Sequence, residues 1–208
     1  MKKQVLIAAN ISNDFQAYLI SNGYELISLE EKKESDEVLG IVTSTKLHLD
    51  KLTIDQFPAL QWIARLGSGT EIIDLTHCKQ KGITVASSPA GIANAVAEHC
   101  IAQLIALQKN ICTSFLEINN KKWIREDNRG LELENKTVGI IGYGHTGMAF
   151  AKKLSVFSCQ VLAYDKYKKD YSDVFAQETD LKKLQEQANI ISFHVPYSKD
   201  THHYYNKQ

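Results

Sequence analysis

The segment KTVGIIGYGHTG, residues 136–147, is the most informative part of this 208-residue chain. It contains the pattern G-x-G-x-x-G directly after a run of apolar residues, as expected where a buried strand turns into a helix. In such a unit Gly142 permits the tight turn, Gly144 lets the backbone approach a pyrophosphate, and Gly147 lets helix and strand pack closely. The pattern alone is weak, because glycines gather in many turns, so its context has to support it.

Two neighbouring features extend the glycine loop. The amides of His145 and Thr146 begin the predicted helix, where unpaired N–H groups and the helix dipole favour phosphate. Asp165 stands eighteen residues after Gly147, at the end of the next apolar run. A carboxylate there can accept hydrogen bonds from both adenosine ribose hydroxyls and repels a 2′-phosphate. We therefore predict dinucleotide binding with NAD preferred to NADP; the alternative is a glycine-rich turn in an unrelated α/β domain.

Short apolar runs alternate with helical stretches along the whole chain, which indicates parallel sheets of the doubly wound kind. We predict strands at 5–9, 24–28, 39–44, 60–67, 83–87, 136–142, 159–165 and 189–196, and helices from the Ser12 cap to Gly23 and over 71–80, 93–108, 146–157 and 180–187. The charged stretch 29–37 is predicted as a solvated connection or polar helix face. The fold class is α/β, with two doubly wound parallel-sheet, Rossmann-like domains.

The predicted helix 93–108 is apolar around most of its circumference. A helix of this kind is expected to be buried, either between subunits or between the two domains of one chain. We predict a homodimer whose interface includes this helix and keep burial within one chain as the alternative. The polar stretch 119–130 after it is predicted as a boundary loop.

Composition excludes several other classes. Lys+Arg is 24 and Asp+Glu is 24, so no general basic field favours nucleic acid. The apolar run 5–9 is too short for a secretion signal or a membrane span. The four cysteines form no C-x-x-C pair, and the seven histidines show no metal-ligand spacing. We expect a cytoplasmic protein with free thiols, without a metal, a membrane anchor or a nucleic-acid partner.

Several motifs together resemble those of the D-isomer-specific 2-hydroxyacid dehydrogenases, most closely the 3-phosphoglycerate dehydrogenase branch. In chain order they are IARLGSGTEIID (63–74), KGITVASSPAG (81–91), NAVAEH (94–99), Trp123, LENKTVGIIGYGHTG (133–147), AYD (163–165) and HVP (194–196). The resemblance implies a flavodoxin-like substrate-binding domain at 1–93, a crossover helix and linker at 94–131, and an NAD-binding Rossmann domain at 132–208. It also implies hydride transfer between NAD and a small 2-hydroxy or 2-keto acid.

The resemblance also implies site residues. The amides of Leu66, Gly67 and Ser68 match the loop that holds the substrate carboxylate, with Ser68 also near the nicotinamide, and Arg65 is a possible anion contact. The positions that match the NAD site are Gly142, Gly144, His145, Thr146, Gly147, Asp165, His194, Val195 and Pro196. His194 belongs to the adenine-side strand and does not match the family's catalytic histidine. Trp123 matches a packing residue.

Departures from the family pattern limit this assignment. The family's catalytic Arg, Glu and His lie in segments that follow the HVP strand, and nothing in residues 1–208 matches them. We therefore expect no catalytic residue in this chain and an incomplete second domain. A fragment of a longer enzyme is favoured over a short non-catalytic module for NAD binding or dimerisation. Val42 and Ile92 replace a phosphate-binding Arg and a common Asn, so the identity of the acid stays open.

Overall fold

The structure is a computed structural model that describes residues 3–30 and 36–206. The chain divides into two compact units, residues 1–91 and 92–208, and the division falls in the first turn of a long helix. Residues 31–35, which are part of the predicted charged connection, lie outside the described residues.

The first unit contains a five-stranded sheet in which every paired neighbour runs parallel. The strand order is β2–β1–β3–β4–β5. The strands are β1 (Lys3–Ala8), β2 (Tyr24–Ser28), β3 (Val38–Thr43), β4 (Trp62–Arg65) and β5 (Thr84–Ser87), and the helices are α1 (Asn13–Ser21), α2 (Lys51–Ile54) and α3 (Leu75–Gln80). β3 is buried along almost its whole length, as a central parallel strand should be. The predicted doubly wound α/β fold is confirmed here.

Side-chain caps determine where the helices of this unit begin. The Phe15 amide donates to Ser12 Oγ at 3.2 Å, so α1 begins where the sequence predicts. The His77 amide donates to Asp74 Oδ1 at 2.9 Å, and α3 therefore begins at Leu75, later than predicted. α2 was not predicted, because four residues are too few to show a helical period.

The second unit contains a four-stranded parallel sheet in the order β8–β7–β6–β9. Its strands are β6 (Thr137–Ile141), β7 (Gln160–Tyr164), β8 (Gln177–Glu178) and β9 (Ile190–Phe193). Its helices are α4 (Pro89–Gln108, which begins in the first unit), α5 (Ile111–Asn119), α6 (His145–Leu154, followed by a 3-10 turn at Ser155–Phe157) and α7 (Leu181–Gln187). The core lies between the sheet, α4 and α6. The two-residue strand β8 and the helix α5 were not predicted.

The long helix α4 begins at Pro89, four residues earlier than predicted, since proline is well suited to the first helical position. Only Ala93, Ala97 and Leu104 of its twenty residues are buried in the described chain. By length and composition it is the one helix of the described residues that could cross a membrane. A single helix of this kind is weak evidence for a membrane span.

An ion-pair cluster joins α2 to α3 in the first unit. Asp55, directly after α2, accepts a hydrogen bond from Lys81 Nζ at 2.5 Å, and its Oδ1 atom lies 2.8 Å from His77 Nε2. The bond from Lys81, followed by that from His77, lowers the pKa of the Asp55 carboxyl from 3.8 to about 2. The ionised carboxylate is therefore favoured by the folded state.

We expect Asp55→Asn to remove part of the acid-range pH dependence of unfolding. Because the pKa of Asp55 is depressed in the folded state, its stabilising contribution is complete above about pH 4 and is lost as the pH falls toward about 2. Urea unfolding midpoints measured across this range test the prediction. Lys81→Met should flatten the same slope, whereas Lys79→Met, an exposed change on α3, should not. Equal slopes for the wild type and Asp55→Asn would contradict the prediction.

Candidate functional site

The glycine loop is a point of close backbone approach in the second unit. Gly142 has a φ of +95°, in the region that favours glycine, and its amide donates to the Tyr164 carbonyl at 2.8 Å. A Cβ atom there would lie 2.5 Å from the His194 carbonyl oxygen. A Cβ atom at Gly147 would collide with the Gly142 carbonyl oxygen. Both glycines are thus required by packing, in the roles that the sequence predicts for them.

Gly144 differs from these two glycines because it faces open space. It is the N-cap of α6, and a Cβ atom built on it would have no atom within 4 Å. Since glycine offers no capping side chain, the first amides of α6, including those of His145 and Thr146, keep their capacity to bind an anion. The open approach at Gly144 and the uncapped helix end together fit a pyrophosphate.

The Asp165 carboxylate follows β7 and already has three backbone donors. Its Oδ2 atom accepts from the Tyr143 amide at 2.9 Å, and its Oδ1 atom accepts from the amides of Tyr167 at 2.9 Å and Lys168 at 3.2 Å. A carboxylate has about four acceptor positions, so roughly one remains, on Oδ2. Asp165 therefore holds the glycine loop and the next loop together, a structural role that the sequence did not reveal.

Two tyrosines, the buried Tyr143 and the partly buried Tyr171, connect the same loops. The Tyr143 hydroxyl donates to the Asp173 carboxylate at 2.9 Å, and the Tyr171 hydroxyl donates to the Ala163 carbonyl at 2.9 Å while accepting from the Asp165 amide at 2.8 Å. Burial raises the pKa of Tyr171 to about 12. Burial, then the hydrogen bond to Asp173, raises the pKa of Tyr143 as well. Both hydroxyls therefore stay protonated. In the sequence, the one visible sign of this network is that Tyr143, an aromatic residue, lies between Gly142 and Gly144.

His194 is held as a neutral ring beside α6. Its Nδ1 atom lies 3.2 Å from Thr146 Oγ1, its Nε2 atom lies 3.0 Å from Ser192 Oγ, and its ring packs on Phe150 at 5.3 Å. Burial lowers the pKa of His194, which opposes a charged imidazolium at neutral pH. These contacts agree with a residue that shapes the site rather than one that transfers protons.

A cleft of about 240 Å³ collects most of the predicted cofactor residues. The predicted residues that line it are Gly142, Gly144, Asp165, His194, Val195 and Pro196, and the lining residues that the sequence missed include Lys166, Tyr167, Asp200, Thr201 and Tyr204. Lys166 and Tyr167 directly follow Asp165 but belong to no motif, whereas Asp200, Thr201 and Tyr204 are brought to the cleft only by the fold.

The predicted substrate loop follows β4 in the first unit. The Leu66 amide donates to the Thr43 carbonyl at 2.8 Å, so this amide is already used within the protein. Gly67 has a φ of +135°, and its carbonyl accepts from the Ser88 amide at 2.9 Å. Ser68 is exposed. Within the described residues, the amides of Gly67 and Ser68 have no hydrogen-bond acceptor, which leaves these two free for a ligand.

Two other positions in this unit bear on the predicted substrate site. The Arg65 guanidinium turns back onto the Leu66 carbonyl oxygen, and its buried Nε atom has no partner in the described part of the chain. Val42 is fully buried inside β3, beside Ile7 and Ala64. A side chain at position 42 therefore faces the core rather than a ligand.

The family model "D-isomer specific 2-hydroxyacid dehydrogenase, NAD binding domain" matches residues 101–208, which is more than half of the chain. The chain belongs to this family. The resemblance inferred from the sequence is thus confirmed, and the glycine loop, Asp165 and the cleft lie within the family's NAD-binding domain. The open approach at Gly144 and the uncapped start of α6 fit that cofactor.

Relatives of known activity are similar over most of the chain. A hydroxypyruvate reductase of Thermotoga maritima is 32% identical over 197 residues, which are 91% of this chain and 64% of the relative. A D-3-phosphoglycerate dehydrogenase of Archaeoglobus fulgidus is 32% identical over 206 residues, 95% of this chain and 39% of the relative. The chain thus spans between about two fifths and two thirds of the length of these relatives.

Solved structures share the fold. The D-lactate dehydrogenase of Aquifex aeolicus in complex with NAD and lactic acid has a TM-score of 0.82 and 28% identity, and the match covers 97% of this chain and 63% of that chain. A glyoxylate reductase of Paecilomyes thermophila has a TM-score of 0.84 at 19% identity, with 97% of this chain and 67% of that chain covered, and supports the fold alone.

The glycine loop yields a matched pair of substitutions. Gly144→Ala should leave thermal stability close to wild type but weaken NAD binding about tenfold, or roughly 1.4 kcal/mol, because its methyl group points into the open approach. Gly147→Ala should instead destabilise the fold by about 1–3 kcal/mol, since its methyl group meets the Gly142 carbonyl. Calorimetric titration and thermal unfolding of both variants check this. Unchanged NAD affinity in a folded Gly144→Ala protein would refute the assignment.

Proposed function

We propose that this protein is an NAD-dependent oxidoreductase that passes hydride between NAD and C2 of a small 2-hydroxy or 2-keto acid. The observation that carries the proposal is that Gly144, the N-cap of α6 without a capping side chain, and Asp165 line one cleft in the family's NAD-binding domain. The bound cofactor supplies the nicotinamide that accepts or donates the hydride. Residues 132–208 are proposed as the NAD-binding domain, 94–131 as the crossover helix and linker, and 1–93 as the substrate-binding domain.

Each cofactor residue is proposed to have one task. The amides of His145 and Thr146 bind the pyrophosphate at the start of α6. Asp165 accepts a hydrogen bond from a ribose hydroxyl at its remaining acceptor position and repels a 2′-phosphate, which favours NAD over NADP. His194 and Val195, with the adjacent Pro196, line the adenine side as an uncharged wall.

On the substrate side, the amides of Gly67 and Ser68 are proposed to bind the carboxylate of the acid, with Arg65 as the counter-charge. Ser68 is also proposed to contact the nicotinamide. Leu66 is left out of the donor set, because its amide already donates to Thr43. A carboxylate held by backbone amides is oriented at both oxygens, which fixes the position of C2 for hydride transfer.

The 208-residue chain is expected to bind NAD without turning over an acid. Nothing in it matches the family's Arg, Glu and His. Loss of a positioned acid–base group lowers the catalytic rate about 10²–10⁴-fold, and loss of an electrostatic clamp lowers it about 10²–10³-fold further. The assay is NADH absorbance with glyoxylate, pyruvate, hydroxypyruvate, 2-oxoglutarate and phosphohydroxypyruvate, beside calorimetric NAD titration. Turnover above the buffer rate that Asp165→Ala abolishes would show that residues 1–208 contain an acid we have missed.

The sequence of the gene beyond codon 208 tests the proposed activity itself. An open frame that encodes the A-R-G, Glu and His segments should give a product that oxidises NADH with one of these acids. A longer product that binds NAD but reduces none of the five would contradict the dehydrogenase proposal. A stop codon, with NAD binding retained, would instead favour the non-catalytic NAD-binding or dimerisation module.

A homodimer is proposed from the exposed apolar side chains of α4 and α5. Leu107 at the end of α4 is 76% exposed, and Phe115 and Leu116 on α5 are also exposed. Apolar helix surfaces of this kind are normally buried against another protein surface. A second copy is the proposed partner, since a two-fold axis lets one apolar surface cover itself. The protein is proposed to be cytoplasmic, in keeping with its four free cysteines.

Light scattering should therefore show a dimer at micromolar concentration. Leu107→Glu should convert it into a monomer, because a buried, unpaired carboxylate is costly at an interface. Leu52→Glu, at a site 75% exposed in the first unit, is the control and should remain dimeric. A monomeric wild-type chain would refute the dimer, and recovery of the chain only in membrane fractions would point to a lipid environment for α4.

A further inference from the structure

An ion pair lines the cleft beside Asp165. Lys166, the residue after Asp165, has its Nζ atom 2.9 Å from the Asp200 carboxylate, and all three residues line the cleft. The pair joins the segment after β7 to the segment after β9, which are 34 residues apart in sequence.

The position of Asp200 is supported by the turn that contains it. The Ser198 amide donates to Thr201 Oγ1 at 2.7 Å, and Thr201 Oγ1 donates in turn to the Pro196 carbonyl at 2.6 Å. These two bonds fix the turn that carries Asp200 against the end of β9. The carboxylate is therefore held near Lys166 by local hydrogen bonds and not only by its charge.

Lys166 and Lys168, the two lysines that follow Asp165 most closely in sequence, each have another partner. Lys168 donates from Nζ to the Tyr143 carbonyl at 2.6 Å, on the glycine-loop side. Lys166 is the cation nearest in sequence to the carboxylate that is proposed to meet the ribose, and its charge is compensated by Asp200. A free ammonium at position 166 would attract a 2′-phosphate, because it would offset the repulsion from Asp165.

We propose that Asp200 is a second determinant of cofactor choice, which withholds Lys166 from the 2′-phosphate of NADP and so adds to the preference that Asp165 sets. The inference rests on the proposed binding of NAD in this cleft. Asp200 would thus influence cofactor choice through its contact with Lys166, without touching the glycine loop. The side chains of Lys166 and Asp200 are 57% and 67% exposed, so solvent screens the pair and the effect is modest.

The test uses two probes that differ only in the 2′-phosphate, 5′-AMP and adenosine 2′,5′-bisphosphate, titrated calorimetrically at low ionic strength. Asp200→Asn should bind the bisphosphate about fivefold more tightly than the wild type does, with 5′-AMP affinity unchanged. Lys166→Met alone should weaken binding of the bisphosphate, because it leaves the Asp200 carboxylate uncompensated beside the cleft. The double variant Lys166→Met/Asp200→Asn should lose the gain.

Asp170→Asn is the matched control. It removes one negative charge from an exposed residue that follows β7, as Lys166 does, but does not line the cleft. An equal gain in Asp170→Asn, or a gain that persists in the double variant, would overturn the proposal in favour of a general charge effect. Equal affinities of Asp200→Asn and wild type for the bisphosphate would overturn it as well. If the wild type binds neither 5′-AMP nor NAD, the proposed function fails first, and this inference fails with it.

Discussion

The second unit depends on the meeting of three backbone segments at Gly142. There the end of β6 is joined to β7 through the Gly142–Tyr164 hydrogen bond and to β9 through the bond from the His194 amide to the Ile141 carbonyl at 2.7 Å. A side chain at Gly142 or at Gly147 would separate these segments, because backbone atoms occupy the space. The close packing at Gly142 fixes the distance between the start of α6 and the end of β7. The cleft lies between these two elements.

Rigidity around the cleft is reinforced by hydrogen-bonded polar side chains. Asp165 accepts three backbone donors, and the tyrosines at 143 and 171 join the loop after β7 to the glycine loop. The Asp173 carboxyl has its pKa raised by partial burial, but the donors Phe175, Tyr143 and Ala176 outweigh this and keep the pKa below its ordinary value. Because these side chains hydrogen-bond to one another and to the backbone of both loops, the network favours one arrangement of the loop.

The sequence predicted the parts of this protein that depend on local pattern. The apolar runs identified the sheets, and the order strand, glycine loop, helix and Asp165 identified the NAD-binding domain, because each requires only neighbours in sequence. The helix α5 and the strand β8 were missed because both are short, with nine and two residues. Contacts between distant segments could not be predicted, because only the fold brings those segments together. Examples are the bond from Tyr143 to Asp165, the Leu66–Thr43 bond and the Lys166–Asp200 pair.

The two tryptophans of the chain lie in different units and in contrasting surroundings. Trp62 is half-buried in β4 and packs edge-to-face on Tyr24 at 6.0 Å, whereas Trp123 is 81% exposed after α5. Their indole rings therefore differ in contact with water, and an aqueous quencher such as iodide will reach Trp123 far more readily than Trp62. The intrinsic fluorescence of this protein consequently contains two separable emissions, one reporting on the sheet of the first unit and the other on the surface beside α5.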